Sequence, residues 1–189
     1  IPGIETPSGP SVAAKVLEIR RDRSKVIIDL GGGWGGDALA HLVANDVDAI
    51  GYMGVKPSMK RTRDNQLQFF NVRTEAYWRF REALDPTQPG GSAIALPPMD
   101  KELEADLTAP TFETIRMKRG MGIKLESKEA LVKRIGRSTD RGDAVIMSWW
   151  AGPKAATDLK QWEEQGKYRR GGTGGGTPKV VMGHTSKRR

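Results

Sequence analysis

The chain contains no cysteine, and its 189 residues include only two histidines, His41 and His184. Without cysteine it can form neither disulfides nor thiolate metal sites, and it has no thiol nucleophile, which suits a reducing compartment. Because two histidines offer so few nitrogen donors, a metal site would have to be built from oxygen ligands. Oxygen ligands favour Mg²⁺ or Mn²⁺ over Zn²⁺.

Long apolar stretches are also missing. No run of about 18 apolar residues occurs, and no charged segment followed by an apolar stretch opens the sequence, so we expect neither a membrane span nor a signal peptide. The hydrophobic content of 37% is enough for one domain with a sizeable core. The first residue is Ile1 rather than Met, and we expect the chain to begin inside a larger protein.

Positive charge is present in excess, and it is concentrated in two blocks. The net charge is +8, and residues 116 to 141 and 151 to 189 each hold nine Lys or Arg against three acidic residues. The remainder of the chain is mildly acidic. Clustered cations favour a polyanionic partner, because neutralising phosphates releases their counterions. A solvated surface followed by a basic tail is the alternative.

Apolar periodicity and turn residues predict alternating helices and strands. Helices are expected over residues 11 to 22 (with Ser11 as N-cap), 36 to 45, 71 to 85, 98 to 109, 127 to 134 and 140 to 150. Strands are expected over residues 25 to 30, 48 to 55 and 92 to 96, and a hairpin over residues 111 to 127. Residues 153 to 189 have the Gly-rich, basic composition of a mobile tail outside the fold.

The stretch VIIDLGGGWGGDALAHL, residues 26 to 42, places five glycines between a predicted strand and a predicted helix. Gly31, Gly33 and Gly36 match the G-x-G-x-x-G pattern of dinucleotide-binding folds. However, the next strand ends GYMGVK, without the acid that would hold a ribose, and no Lys-Ser/Thr pair follows the glycines as in a P-loop. Nucleotide binding is therefore the weaker interpretation.

A metal site is the stronger one. Asp29 ends the predicted strand, where α/β folds bind ligands, and the glycines after it leave room for a bulky substrate. Asp140 and Asp143 lie three residues apart at the start of the last helix, on one face. Asp140 is equally suited to cap that helix. Convergent carboxylates that hold two divalent cations are the apparatus of phosphodiester hydrolysis.

A family resemblance joins these features. The run IKLESKEALVKRIGRSTDRGDAVIM, together with VIIDLGGGWGGDALAHL and NVRTEAYWRFREAL, resembles the C-terminal nuclease domain of the large terminase subunit of tailed bacteriophages. The order and spacing agree from about residue 11 to residue 150, and K-L-E-S-K followed by G-R-S-x-D-x-x-D-A is a specific motif.

The resemblance implies an α/β, RNase H-like mixed sheet flanked by helices, of the retroviral integrase superfamily. It implies an endonuclease that uses Mg²⁺ or Mn²⁺ in a two-metal mechanism to cut concatemeric double-stranded DNA during genome packaging. By position, Asp29 and Asp143 match the family's catalytic metal ligands, and Asp140 matches a nearby acid of the same motif. The implied partners are double-stranded DNA, the portal protein and the small terminase subunit, in a possible oligomer within the host cell cytoplasm during virion assembly.

The chain also departs from that family. In the family a further aspartate lies on the first strand; by comparison we expect this sequence to begin at what would be the end of the third strand and not to include the ATPase motor domain. We therefore expect residues 1 to 152 to form an N-terminally truncated nuclease domain whose sheet lacks its first strands. A non-catalytic DNA-binding or docking module is the alternative function. The candidates for contact with the DNA backbone are Lys124, Lys128, Arg134, Arg137 and Arg141.

Overall fold

The structure, a computed structural model, describes residues 6–33, 35–88 and 94–151. Its helices are α1 (Gly9–Ile19), α2 (Gly35–Ala44), α3 (Val72–Leu84), α4 (Lys101–Thr108), α5 (Lys128–Ile135) and α6 (Asp140–Ala151), with a short 3₁₀ turn at Gly31–Gly33. Its strands are β1 (Val26–Asp29), β2 (Ala49–Tyr52), β3 (Gln68–Phe69), β4 (Phe112–Met117) and β5 (Gly120–Leu125).

These strands form two small sheets. β1 and β2 are parallel and are joined through α2, which confirms the predicted strand–helix–strand unit. In the second sheet β5 lies between β3, to which it is parallel, and β4, to which it is antiparallel. The architecture is therefore mixed α/β. The register of the first sheet sets Asp29 directly beside Tyr52, at the carboxyl ends of both strands.

Helix ends follow local capping signals. Asn71 and Ser127 cap α3 and α5 as expected, and Gly136 ends α5 in the left-handed conformation, with φ of 77°. The prediction for the first helix was wrong by one turn, because its N-cap is Ser8 and not Ser11. Ser11 instead occupies the third helical position, where its side chain bonds back to Ser8 in a capping box.

The region before β4 differs most from expectation. Residues 94 to 96 are not a strand, and residues 92 and 93 lie outside the described residues. Pro97 and Pro98 follow at once, and proline cannot donate to a strand ladder, so Ile94 and Leu96 pack against the core without pairing. The predicted strand over 48 to 55 is also shorter, at Ala49–Tyr52. The proposed boundary at residue 152 and the tail lie outside the described residues.

Helix α6 packs against both β2 and α3. Its Ile146, 1% exposed, is buried in one cluster with Tyr52 from β2 and Tyr77 and Phe80 from α3. Trp150 meets the ring of Tyr52 edge-on, with the ring centroids 5.3 Å apart. Burial of such aromatic side chains helps to hold α6 against the first sheet and α3. Within the described residues, no helix is both long and apolar enough to cross a membrane.

Helices α4 and α6 approach closely around a buried charge. Asp106 on α4 is fully buried, accepts a hydrogen bond from the backbone N–H of Gly142 at 3.1 Å, and pairs with the Arg137 guanidinium. A Cβ added to Gly142 would lie 2.8 Å from the Cβ of Asp106. Only glycine therefore lets the two helices meet at this distance.

We expect Gly142→Ala to destabilise the protein by about 1 to 3 kcal/mol relative to Gly36→Ala, because the added methyl group forces α4 and α6 apart. Gly36, on α2, has no atom within 4 Å of an added Cβ, so alanine there should be neutral or stabilising. Urea unfolding of the two variants measures the difference. Equal stabilities would contradict the close approach of α4 and α6.

Candidate metal and nucleic-acid site

Asp29 is presented to solvent by the glycine-rich turn that follows it. Its Oδ1 accepts a hydrogen bond from the backbone N–H of Gly31 at 2.8 Å, and its Oδ2 has no hydrogen bond among the described residues. The chain then turns through Gly33, at φ of 84°, and starts α2 against the strand end. A Cβ on Gly35 would overlap the carbonyl oxygen of Asp29. Gly35 thus allows α2 to pack closely against the end of β1. The Oδ2 atom of Asp29 remains available to a ligand.

Asp143 lies in the first turn of α6, and its side chain is 14% exposed. Its Oδ1 accepts a hydrogen bond from the hydroxyl of Tyr77 at 2.6 Å. Its Oδ2 lies 3.0 Å from Nζ of Lys128 and 3.4 Å from the hydroxyl of Thr139. The side chains of Tyr77, Lys128 and Thr139 therefore fix the orientation of this carboxylate.

Tyr52 connects the two carboxylates. It is Asp29's partner in the β1–β2 register, and α6 packs on its ring. Burial raises the pKa of Tyr52, the Arg73 guanidinium lowers it, and the negative charges of Asp143 and Asp29 raise it further. Both carboxylates are thus close enough to act electrostatically on one phenol, although more than a hundred residues separate them in the sequence.

Asp140 stands apart from this pair. Its side chain is 80% exposed and accepts a hydrogen bond from Ser138, and Lys128 lies between it and Asp143, at 3.8 Å and 3.0 Å respectively. The residue is the first of α6, preceded by Thr139. Within the described ranges, no group of three or more Asp, Glu, His or Cys side chains is arranged to hold a metal ion. A ligand role for Asp140 stays a prediction.

The sequence did not single out Arg73 and Tyr77 for the site. They lie four residues apart on one face of α3, and the Arg73 guanidinium stands 5.0 Å from the centroid of the Tyr77 ring. Burial and the Asp143 charge raise the pKa of Tyr77. Arg73 donates to the carbonyl oxygen of Glu126 at 2.7 Å, while its Nε and Nη2 are buried without a hydrogen-bond partner among the described residues. The sequence offered one signal for Tyr77: phenylalanine would pack equally well at this position, so a tyrosine indicates that its hydroxyl has a hydrogen-bond partner.

The five basic residues predicted to contact DNA are all ion-paired. The pairs are Lys124 with Glu113, Lys128 with Asp143, Arg134 with Glu126, Arg137 with Asp106, and Arg141 with Asp100. Arg137 and Arg141 bind acidic residues of α4 and its N-cap, so they help to hold α4 against α6. Part of the positive charge in this block is therefore neutralised within the fold, and its contact with DNA stays a prediction.

No family model, no curated protein and no solved structure matches the chain. What the site can do has to be read from its own residues. These are the Asp29 carboxylate at a strand end beside Tyr52, and the Asp143 carboxylate at a helix start, held by the Tyr77 hydroxyl and the Lys128 ammonium group.

Removing the hydroxyl of Tyr77 should destabilise the protein, because that hydroxyl donates to a poorly solvated carboxylate. We expect Tyr77→Phe to lower the free energy of unfolding by about 1.5 to 3 kcal/mol. Tyr52→Phe is the matched control, because the Tyr52 hydroxyl has no hydrogen bond among the described residues, and its effect should be smaller. Chemical denaturation measures both. A Tyr77→Phe variant as stable as the wild type would contradict the hydrogen bond to Asp143.

Glu126 provides a pH-dependent test. Hydrogen bonds from the Arg134 guanidinium and from Thr111 lower its pKa to about 2. Because the folded-state pKa is depressed, the stability that Glu126 contributes is present above its ordinary pKa and is lost as the pH falls towards 2. We expect carboxyl NMR titration to show that low midpoint, and Arg134→Gln to move it up towards the ordinary value. Lys133→Gln, the neighbouring exposed cation, is the control. A wild-type midpoint at the ordinary value would contradict the ion pair.

Proposed function

We propose that the chain is a metal-dependent endonuclease domain with an RNase H-like fold, of the kind found in viral genome-packaging terminases. Its substrate would be concatemeric double-stranded DNA, with the portal protein and the small terminase subunit as partners. The observation that carries the proposal is the convergence of Asp29 and Asp143 on Tyr52. Asp29 ends a strand and Asp143 starts a helix far away in the sequence, and both act on one phenol at the carboxyl end of β2, where α/β folds bind ligands.

The β1 edge supports the RNase H-like assignment. Val26 and Leu30 donate to the carbonyl oxygens of Asp48 and Tyr52, so alternate residues of β1 face β2. The backbone groups of Ile27 and Asp29 point the other way and have no hydrogen-bond partner among the described residues. An edge of this kind is free to pair with further strands, as it would in an RNase H-like sheet.

The donor set fits a hard divalent cation. Asp29 and Asp143 are the residues that would hold Mg²⁺ or Mn²⁺, since carboxylate oxygens are the ligands these ions prefer. When bound, such ions supply a hydroxide nucleophile and stabilise the leaving oxygen in phosphodiester hydrolysis. The chain's own groups orient the ligands: the Gly31 N–H positions Asp29, and the Tyr77 hydroxyl positions Asp143. Lys128 compensates the charge of Asp143 at 3.0 Å.

A non-catalytic DNA-binding or docking module is the second candidate. It is favoured by one observation: the ammonium group of Lys128 already neutralises Asp143 and lies within 3.8 Å of Asp140. Nucleotide binding by the glycine turn has less support. The Gly31 N–H, which a phosphate would need as a donor, already binds the Asp29 carboxylate, and a second negative charge there would be repelled.

Nicking of supercoiled plasmid in Mn²⁺ tests the proposal. We expect the wild type to nick the plasmid, chelation of the metal to stop it, and Asp29→Asn or Asp143→Asn to slow it by more than about 100-fold, because each removes a ligand charge. Asp48→Asn, an exposed acid outside the site, is the control and should cut normally.

Undiminished cutting by both site variants would contradict the roles of Asp29 and Asp143. A wild type that binds the plasmid and leaves it intact in Mn²⁺ would contradict the nuclease and favour the docking module.

A further inference from the structure

Four cations at or next to the closed end of the β4–β5 hairpin have no carboxylate partner in the described part of the chain. Lys118 and Arg119 form the turn, Arg61 bonds to the carbonyl oxygen of Arg119, and Lys60 precedes Arg61 in the chain; we call these four residues the hairpin cluster. None of them makes a salt bridge within the described ranges, in contrast to the five ion-paired residues nearer the carboxylates. The largest uncompensated positive charge on the hairpin therefore lies at its tip.

The hairpin cluster is fixed by the backbone of the sheet. The guanidinium of Arg61 and the side-chain amide of Gln68 both donate to the carbonyl oxygen of Arg119, at 3.3 Å and 2.5 Å. Arg61 and Gln68 also pair in an antiparallel bridge. Gly120 closes the turn with φ of 117°, a conformation that favours glycine. The Gln68 amide and one N–H of Arg61 thus hold the two cationic segments together. The charged groups of Lys60, Lys118 and Arg119 take no part in these two bonds.

Holding four like charges together is unfavourable without a counter-charge. Asp64, the carboxylate in the segment between Lys60 and Gln68, accepts hydrogen bonds from the Thr62 hydroxyl and the Gln66 N–H, and it pairs with none of the four cations. Those hydrogen bonds, the Thr62 one above all, hold the pKa of Asp64 below its usual range. Asp64 therefore does not compensate the hairpin cluster, whose charge is available to an anionic partner.

The cluster and the carboxylates lie at the two ends of one strand. β5 begins at Gly120, next to Arg119, and ends at Leu125, three residues before Lys128, whose Nζ contacts Asp143. Six strand residues span about 20 Å. Lys124, near the carboxylate end of β5, is paired with Glu113. A rod-like polyanion along β5 would span the hairpin tip and the carboxylate site.

We propose that the hairpin cluster is a second contact for the backbone of double-stranded DNA, about six base pairs from the Asp29 and Asp143 site. This inference rests on the proposed function, which supplies DNA as the substrate at the other end of β5. About 20 Å corresponds to about six base pairs at 3.4 Å each. The contact is with phosphates, so it positions the duplex and does not read its sequence.

The test is binding of a 24-base-pair duplex, measured by fluorescence anisotropy over a range of KCl concentrations in EDTA. We expect Lys118→Glu/Arg119→Glu to weaken binding more than about tenfold and to lower the salt dependence by about two counterions, one for each lost phosphate contact. Arg21→Glu/Arg23→Glu is the matched control. It changes the net charge equally, at two exposed arginines before β1, and should retain the wild-type slope.

Equal weakening by the two double variants would overturn the inference, because net charge alone would explain it. Wild-type binding by the Lys118→Glu/Arg119→Glu variant would overturn it as well. Poly-glutamate binding as tight as duplex binding would reject DNA in favour of an acidic protein partner. If this variant unfolds at a lower temperature than the wild type, Lys60→Glu on the neighbouring segment repeats the test, with an expected loss of about one counterion.

Failure of this inference is distinguishable from failure of the proposed function. Binding is measured without metal, so it does not depend on cutting. Both proposals are supported if Asp29→Asn loses metal-dependent nicking while duplex binding still depends on the hairpin cluster. Nicking that survives in both aspartate variants contradicts the nuclease site alone.

Discussion

Asp143 holds a negative charge on a side chain that is only 14% exposed, and the elements around α6 have to compensate it. Removing a carboxylate from water is costly unless it is paired and hydrogen-bonded. Here Tyr77 donates from α3 and Lys128 pairs from the start of α5. These contacts fix α6 in rotation and position. The same helix packs Ile146 and Trp150 on Tyr52. Compensation of the Asp143 charge and packing of the apolar core therefore both depend on the position of α6.

Asp29 lies beside Tyr52, at the end of β1. The glycine-rich stretch after it looked at first like a phosphate cradle, but its geometry serves packing: Gly35 sits against the carbonyl oxygen of Asp29, and Gly31 donates to its carboxylate. α2 can therefore begin directly at the strand end. Its tight start leaves the Asp29 side chain exposed beside Tyr52, on whose phenol the Asp143 charge also acts.

Signals that act over short distances in the chain were readable from the sequence. The β1–α2–β2 unit, the caps of α3 and α5, and the hairpin each depend on residues within a few positions. The sequence placed Asp29 at the end of a strand and Asp143 near the start of a helix, and the structure confirms both positions. Their role as a metal-binding pair stays a prediction. Pairings across the chain were not readable: Tyr77 meets Asp143, and Arg137 meets Asp106, only once the helices have packed. The resemblance to DNA-binding nucleases drew attention to basic residues whose charges the fold already uses.

The central claim is that Asp29 and Asp143 form one cation site, and Mn²⁺ affinity tests it most directly. Calorimetry would compare the wild type with Asp29→Asn, Asp143→Asn and the double variant. Residues that act on one ion are non-additive, so each single substitution should weaken binding nearly as much as both together. Losses that simply add, or a wild type that binds no Mn²⁺, would contradict a shared site.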